Sequence, residues 1–337
     1  MKGLVFAGCS YTWGQGLYYY SDLNHVPKFE DWVYDYSLMT HSSIKYKDTI
    51  RFARLVANHF KTFEVCKFTN GGSDLTSLQF LKKIFDRHEE PVNDNNYTKM
   101  CDWLSTEDYY FDDIEYIIFQ TTQPYRSRLP FTYKGENYFI YPKPEMVGVH
   151  NVSKIYPDGV ENPVENGIET VFYYFLEENN YTMDDYLKKH IEYWTNEIKN
   201  ALSHYEEKGI KIKIINWTNE YEDEMKKHEF YDNKIIKFIH NGVRYSCISD
   251  LQRSSKNLTI SEDVEGFNGN KPKESLSDHH PSKLCHEIIS KNIIREIEKD
   301  MGIYNLGESE ESIIDFQPPK LSEEIIDENV IKKRPLI

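Results

Sequence analysis

Four short apolar runs, each followed by a helical pattern, set the strongest limit on what this chain can become. Leu4-Val5-Phe6-Ala7 stops at Gly8-Cys9-Ser10, and FEVCKFTN (63–70) stops at Asn70-Gly71-Gly72-Ser73. EYIIFQTT (115–122) and KIKIINW (211–217) complete the set. Between and after them lie amphipathic stripes. DTIRFARLVANHF places Phe52, Leu55, Val56, His59 and Phe60 on one helical face. DLTSLQFLKKIF carries Leu75, Leu78, Leu81 and Phe85, with Asp74 as the expected cap. A long helix is predicted from Thr182, where Thr182-x-x-Asp185 forms a capping box. Its stripe is Leu187, Ile191, Trp194, Ile198, Leu202 and Tyr205, and Gly209 ends it. The last helix is expected to bury Leu284, Ile288, Ile294, Ile297 and Met301 and to stop at Gly302. Strands alternating with helices in this way predict an α/β fold with a parallel sheet covered on both faces. Functional sites in such sheets lie beyond the carboxyl ends of the strands. Topology alone therefore gathers Gly8–Thr12, Asn70–Asp74, Gln120–Gln123 and Asp278–Pro281.

The remaining sequence reads as insertions into a single domain spanning 1–306. They fall at about 18–47, 123–180 and 218–277. The second contains FTYKGENYFIYP, a hairpin around Lys134-Gly135-Glu136-Asn137, followed over 143–180 by loops and short strands. The third contains IIKFIHNGVRYSCI, whose Asn241-Gly242 between apolar-polar runs is a strong hairpin signal. Residues 307–337 are rich in Glu and Asp, end near Lys332-Lys333-Arg334, and are expected to extend over the surface or stay mobile, with contact to a protein partner as a further expectation.

Composition narrows the function classes. With 55 acidic against 40 basic residues, the net charge is −15. Neither nucleic acid nor an anionic membrane surface is an expected partner, since both require a basic face. No apolar run approaches the about 18 residues of a membrane span. Strand-like sequence from residue 3 leaves no room for a signal peptide, so a cytoplasmic location is expected, with association with a virion as an alternative. The 5 Cys are scattered without a C-x-x-C pair, which favours reduced thiols over a zinc knuckle or a disulfide framework. Neither a metal nor a cofactor is expected: Gly14-Gln15-Gly16 is too short for a dinucleotide loop.

Ser10 stands where a strand gives way to a helix. Helix N-termini offer unpaired N–H groups to negative charge, including a developing oxyanion. Read alone, Ser10 is a helix cap before it is a nucleophile, and Cys9 is an alternative nucleophile because such a position lowers a thiol's pKa. Asp278-His279-His280-Pro281 supplies what a serine needs: a histidine base and a carboxylate to orient it. A metal pair at His279 and His280 is the competing reading, although neighbouring histidines on an extended chain diverge.

Taken together, these motifs resemble the SGNH (GDSL-type) hydrolase family. Gly8-Cys9-Ser10 matches its first block in a variant form with Cys in the middle position, as in bacterial and phage-encoded relatives. Asn70-Gly71-Gly72-Ser73 resembles the second block and Asp278-His279-His280-Pro281 the last. The resemblance implies a flavodoxin-like three-layer α/β/α sandwich, with the nucleophile at Ser10, the base at His280 and its orienting carboxylate at Asp278. It implies an oxyanion hole from the N–H groups of Ser10 and Gly72. The third block departs from the pattern. Gln120-Thr121-Thr122-Gln123 stands where the family has Gly-x-Asn-Asp, with Thr122 at the donor position, Gln120 or Gln123 as substitutes, and both glutamines as candidate substrate-binding residues. Arg126 and Arg128 follow on the same side and could hold an anionic substrate group. The expected activity is hydrolysis of an acyl ester, with an acylated carbohydrate as one substrate class. The alternative is a catalytically weak or inactive binding or structural module, such as a viral component, whose tail contacts a partner.

Overall fold

The computed structural model describes residues 1–14, 17, 47–66, 73–85, 111–127, 129–140, 168–260 and 280–303. Its centre is a four-stranded parallel sheet in the order β2-β1-β3-β6. The strands are β1 (Gly3–Ala7), β2 (Glu64–Cys66), β3 (Ile114–Thr121) and β6 (Lys211–Asn216). Leu4, Val5 and Phe6 lie beside Glu64, Val65 and Cys66 on one side and beside Tyr116, Ile117 and Ile118 on the other.

The unbroken apolar character of these strands follows from burial on both faces. Side chains alternate across a strand, so Leu4 and Phe6 of β1 join one core while Val5 and Ala7 join the other. In β3, Tyr116 and Ile118 fall on the first face and Ile117 and Phe119 on the second. The first face is covered by α2 (Phe52–His59) and α8 (Lys283–Asp300), and the second by α3 (Asp74–Phe85) and α5 (Met183–Glu207), with the short α6 (Glu222–Met225) and α7 (Ile248–Arg253) lying in sequence between β6 and α8. This is the expected three-layer α/β/α arrangement. A lysine within a core strand is answered locally: Lys213 of β6 is buried, and Asp300 at the end of α8 meets its ammonium at 2.9 Å.

α5 begins as its sequence predicts. The Thr182 hydroxyl accepts from the Asp185 N–H, and the Asp185 carboxylate accepts in return from the Thr182 N–H. Its first turns bury Tyr186 and His190, while Leu187 and Ile191 lie at the margin of the core. The stripe is thus shifted by one position there, because these turns pack against an added aromatic cluster and the loop after β3. Both hairpins form around left-handed turn residues: Lys134-Gly135 between β4 (Leu129–Tyr133) and β5 (Glu136–Ile140), and Asn241-Gly242 between β7 (Phe238–His240) and β8 (Val243–Tyr245).

Other expectations need correction. Within 143–180, α4 (Ile168–Glu178) is a helix rather than loop and strand. Its aromatic, β-branched sequence favours a strand locally, but Phe172 and Leu176 pack with Phe131, Tyr133 and Tyr138 of the hairpin and Tyr186 of α5. Leu284 and Met301 are exposed at the two ends of α8, whereas Ile288, Ile294 and Ile297 are buried. Asp74 does not cap α3: the Ser73 hydroxyl accepts from the Thr76 N–H at 3.2 Å. Residues 18–46, 143–167, 261–279 and the 307–337 tail lie outside the described residues. Among those described, no helix is long and apolar enough to cross a membrane.

One buried histidine binds the first-face helices together. His286 of α8 stacks on Phe52, and its Nδ1 accepts from the Phe52 N–H at 3.1 Å, one of the amides left open at the start of α2. Burial, and then the charges of His280, Arg51 and Lys47, push its pKa down to about 3. The fold therefore requires the neutral ring. Its contribution is complete above the ordinary value of 6.5 and is lost as pH falls from there towards about 3. Relative to His286→Gln, which keeps an acceptor but does not titrate, the wild type is expected to lose about 2 kcal/mol between pH 7 and pH 5. Urea unfolding at the two pH values measures this, and parallel pH dependence in the two proteins would refute it.

Candidate active site

The first loop of the sheet is built around a glycine that cannot be replaced cheaply. A Cβ at Gly8 would come within 2.2 Å of the Thr12 hydroxyl and 2.8 Å of the Gln120 Cβ. That space is taken by a buried polar clasp. The Gln120 amide donates to Cys9 Sγ at 3.0 Å, and the Thr12 hydroxyl donates to the Gln120 carbonyl oxygen. Cys9, Thr12 and Gln120 are all enclosed. Gln120, expected as a substrate-binding residue, thus faces inward and braces the loop. Cys9 is held in the same interior cluster. Ser10 opens the short helix α1 (Ser10–Trp13), directly beyond the end of β1. Its hydroxyl, Gly72 of the expected oxyanion hole, Asp278, His279 and Arg128 lie outside what the structure describes.

At the end of β3, Thr122 is fully buried. Its N–H donates to Asp74 Oδ1 at 2.9 Å, and its hydroxyl is directed to the Gln123 carbonyl at 3.3 Å. The side chain placed by sequence at the oxyanion-donor position is therefore turned to the protein's own backbone. Gln123 is half-buried and precedes a single turn, Pro124–Arg126. That turn is fixed from outside, since His190 Nε2 of α5 lies 2.6 Å from the Pro124 carbonyl.

Asp74 is the hub beneath these loops. Besides Thr122, its carboxylate accepts from the Tyr221 hydroxyl at 2.6 Å and the Ser127 hydroxyl at 3.4 Å, and its own N–H donates to Ser127 Oγ at 3.0 Å. One side chain thus ties the start of α3 to the loops after β3 and β6. Burial pushes its pKa up to about 6, against the pull of the bonds from Tyr221, Thr122 and Ser127. Sequence reading sees a helix-start aspartate and predicts a cap. Nothing in the local pattern announces partners 48, 53 and 147 positions away.

His280 approaches from the opposite end of the chain. Its carbonyl accepts from the Ile260 N–H at 3.0 Å, Pro281 forms an antiparallel bridge with Thr259, and the Ser282 N–H donates to the Leu258 carbonyl at 3.0 Å. Ser282 also caps α8 through the Cys285 N–H and donates to the Asn257 carbonyl at 2.6 Å. The His280 ring meets Tyr11 edge-on, with centroids 5.0 Å apart. Tyr11 is the residue after Ser10. On its other side Tyr11 packs on Trp217 at 4.6 Å, and the Arg126 guanidinium lies over the Trp217 ring at 4.3 Å. A row of four side chains, His280–Tyr11–Trp217–Arg126, therefore runs along the carboxyl edge of the sheet. Tyr11 falls within the Gly8–Thr12 stretch that topology gathers, whereas Trp217 reads from sequence only as a strand end, and the signal that would have found it is its position immediately past β6. Among the described residues, no group of three or more His, Cys, Asp or Glu side chains could hold a metal ion.

The raised pKa of Asp74 has a sign opposite to that of most native carboxylates. Between the ordinary 3.8 and about 6 the folded chain holds this proton more tightly than the unfolded chain. Stability from this group therefore falls as pH rises through that window. Relative to Asp74→Asn, the wild type is expected to lose on the order of 2–3 kcal/mol between pH 4 and pH 7. Denaturant midpoints of both proteins across the window are the measurement, and it is the slope rather than the offset that decides.

No family model matches this sequence, and no curated protein matches it. Among solved structures, the chain is similar to an acetyl xylan esterase (Est2A) from the rumen bacterium Butyrivibrio proteoclasticus, with 13% sequence identity and a TM-score of 0.41. That comparison covers 90% of this chain and 65% of the esterase, so the chain spans just under two thirds of its length.

Proposed function

We propose that this chain is an ester hydrolase of the serine type, with Ser10 as nucleophile, His280 as general base and Asp278 as the group that orients His280. The observation that carries the reading is the contact between the His280 ring and Tyr11, which brings the base against the residue next to Ser10 at the carboxyl edge of the sheet. In this mechanism His280 takes the Ser10 proton as the oxygen attacks the ester carbonyl, then returns it to the departing alcohol. Water repeats the sequence on the acyl-enzyme and releases the acid. A parallel α/β sheet suits this chemistry because loops from distant parts of the sequence converge at one edge.

The oxyanion hole of this reading rests on the backbone N–H groups of Ser10 and Gly72. Thr122 contributes only when its hydroxyl leaves the Gln123 carbonyl. Loss of one oxyanion donor costs about 2.7–4 kcal/mol of transition-state stabilisation, so slow turnover is expected. An acylated carbohydrate is a candidate substrate class.

Hydrolysis of 4-nitrophenyl acetate by the wild type and by Ser10→Ala tests the assignment. The variant is expected to lose about 10³-fold or more in kcat/KM and to resist labelling by a fluorophosphonate that modifies the wild type. Equal rates in the two proteins would remove Ser10 from the mechanism. A wild type that neither turns over nor is labelled is the result expected of a binding or structural module on the same fold, with the 307–337 tail as its partner-contacting arm.

A further inference from the structure

Among the described arginines of this acidic chain, Arg126 and Arg244 have no carboxylate partner, and of the two it is Arg126 that lies over an aromatic ring. Arg51, Arg54, Arg253 and Arg295 each meet a carboxylate within 3.3 Å. Arg126 is exposed, and among the described residues its guanidinium has no carboxylate partner. Instead it lies over the Trp217 ring at 4.3 Å. Such stacking is favourable even at an exposed site, because the ring face carries negative charge density. It occupies the face of the guanidinium and leaves the in-plane N–H donors free.

Both parts of this arrangement are anchored. The Arg126 N–H donates to the Gln123 carbonyl at 2.9 Å, and Ser127, the next residue, is held by Asp74. Trp217 is almost fully enclosed. Its N–H donates to the Thr121 carbonyl at 3.3 Å, its carbonyl accepts from the Ser249 N–H at 2.9 Å, and its ring packs on Tyr11. The indole is thus a fixed platform. The cation on it is three contacts from His280, with the rings of Tyr11 and Trp217 between them.

We infer that Arg126, seated on Trp217, is a substrate-recognition residue that selects esters bearing a carboxylate. This inference rests on the serine hydrolase reading for its link to turnover. A guanidinium donates two parallel hydrogen bonds to a planar carboxylate, a geometry that a lysine cannot reproduce. One cation matches one negative charge. Among the described residues, the buried cations near α1, Lys47 and Arg51, are both met by Asp48, at 3.0 and 3.1 Å, so neither serves as a second partner for a phosphate dianion. The net charge of −15 further disfavours a polyanionic ligand. The substrate class is therefore an ester that carries a single carboxylate, on either its acid or its alcohol portion.

Two matched pairs of esters test this: 4-acetoxybenzoate against methyl 4-acetoxybenzoate, and mono(4-nitrophenyl) glutarate against 4-nitrophenyl butyrate. In at least one pair, wild-type kcat/KM is expected to favour the carboxylate about tenfold, through KM, the scale of a single charge-assisted contact. Arg126→Gln is expected to bring that ratio to about one, and Arg126→Lys to recover only part of it. Thermal unfolding of each variant establishes that it is folded. Ratios near one in the wild type for both pairs, or ratios that Arg126→Gln does not change, overturn the inference. A stronger preference for 4-acetoxyphenyl phosphate than for 4-acetoxybenzoate overturns the carboxylate assignment. Should the wild type hydrolyse none of these and resist the fluorophosphonate, the hydrolase reading fails separately. Calorimetric binding of 4-hydroxybenzoate and of glutarate then decides the anion site. At least tenfold weaker binding of either in Arg126→Gln sustains it, and no binding or equal binding of both by the two proteins overturns it.

Discussion

The edge of the sheet depends on one enclosed carboxylate. Asp74 accepts hydrogen bonds from the Thr122 N–H, the Tyr221 hydroxyl and the Ser127 hydroxyl, while its own N–H is taken by Ser127. Burying a carboxylate is costly unless its oxygens are satisfied. Here the donors come from two separate loops, so the cost is offset only when those loops are in place. The arrangement makes loop position a condition of folding. The Gln120 clasp does the same for the first loop, through Cys9 and Thr12. Between them, two polar side chains set the geometry around α1, the turn after β3 and the segment after β6.

This division of labour bears on the chemistry. Polar groups near an active site are commonly read as substrate contacts, yet the groups at the end of β3 mostly serve the scaffold. Gln120 faces the interior, and Thr122 has both its N–H and its hydroxyl directed to protein acceptors. The polar surface left for a ligand is narrower than the residue types suggest. Among the described residues it consists of His280, Gln123, Arg126 and the rings between His280 and Arg126, together with the backbone at the start of α1.

Much of the fold was legible because it rests on patterns that are local. Unbroken apolar runs give strands buried on both faces, Asn241-Gly242 and Lys134-Gly135 give their turns, and Thr182 with Asp185 gives the start of α5. Of the candidate site, the placement of Ser10 past β1 and the arrival of His280 at the same edge were legible from topology. What escaped depends on distance or on direction. The partners of Asp74 lie far along the chain. Whether Gln120 faces inward or outward turns on a single step of strand alternation at the strand's last residues, where the pattern is weakest. The helix α4 contradicts its local propensity because Phe172 and Leu176 complete a cluster with a hairpin formed earlier in the chain. Trp217 reads as the last apolar residue of a strand, and only its neighbours reveal it as a platform.

The segment 257–260 belongs to what sequence identifies as an insertion, yet it is paired with the chain at His280–Ser282 through Thr259–Pro281, Ile260–His280 and Leu258–Ser282. The insertion is therefore not modular with respect to the core. Its far end acts as a template on which the histidine-bearing loop is laid. Exchanging this region between related chains, in evolution or in the laboratory, is constrained on both sides of that seam: a graft that discards 257–260 removes the register of the histidine, and one that discards the residues before 257 takes Tyr221 from Asp74 and Ile236, Phe238, Ile248 and Leu251 from the first-face core.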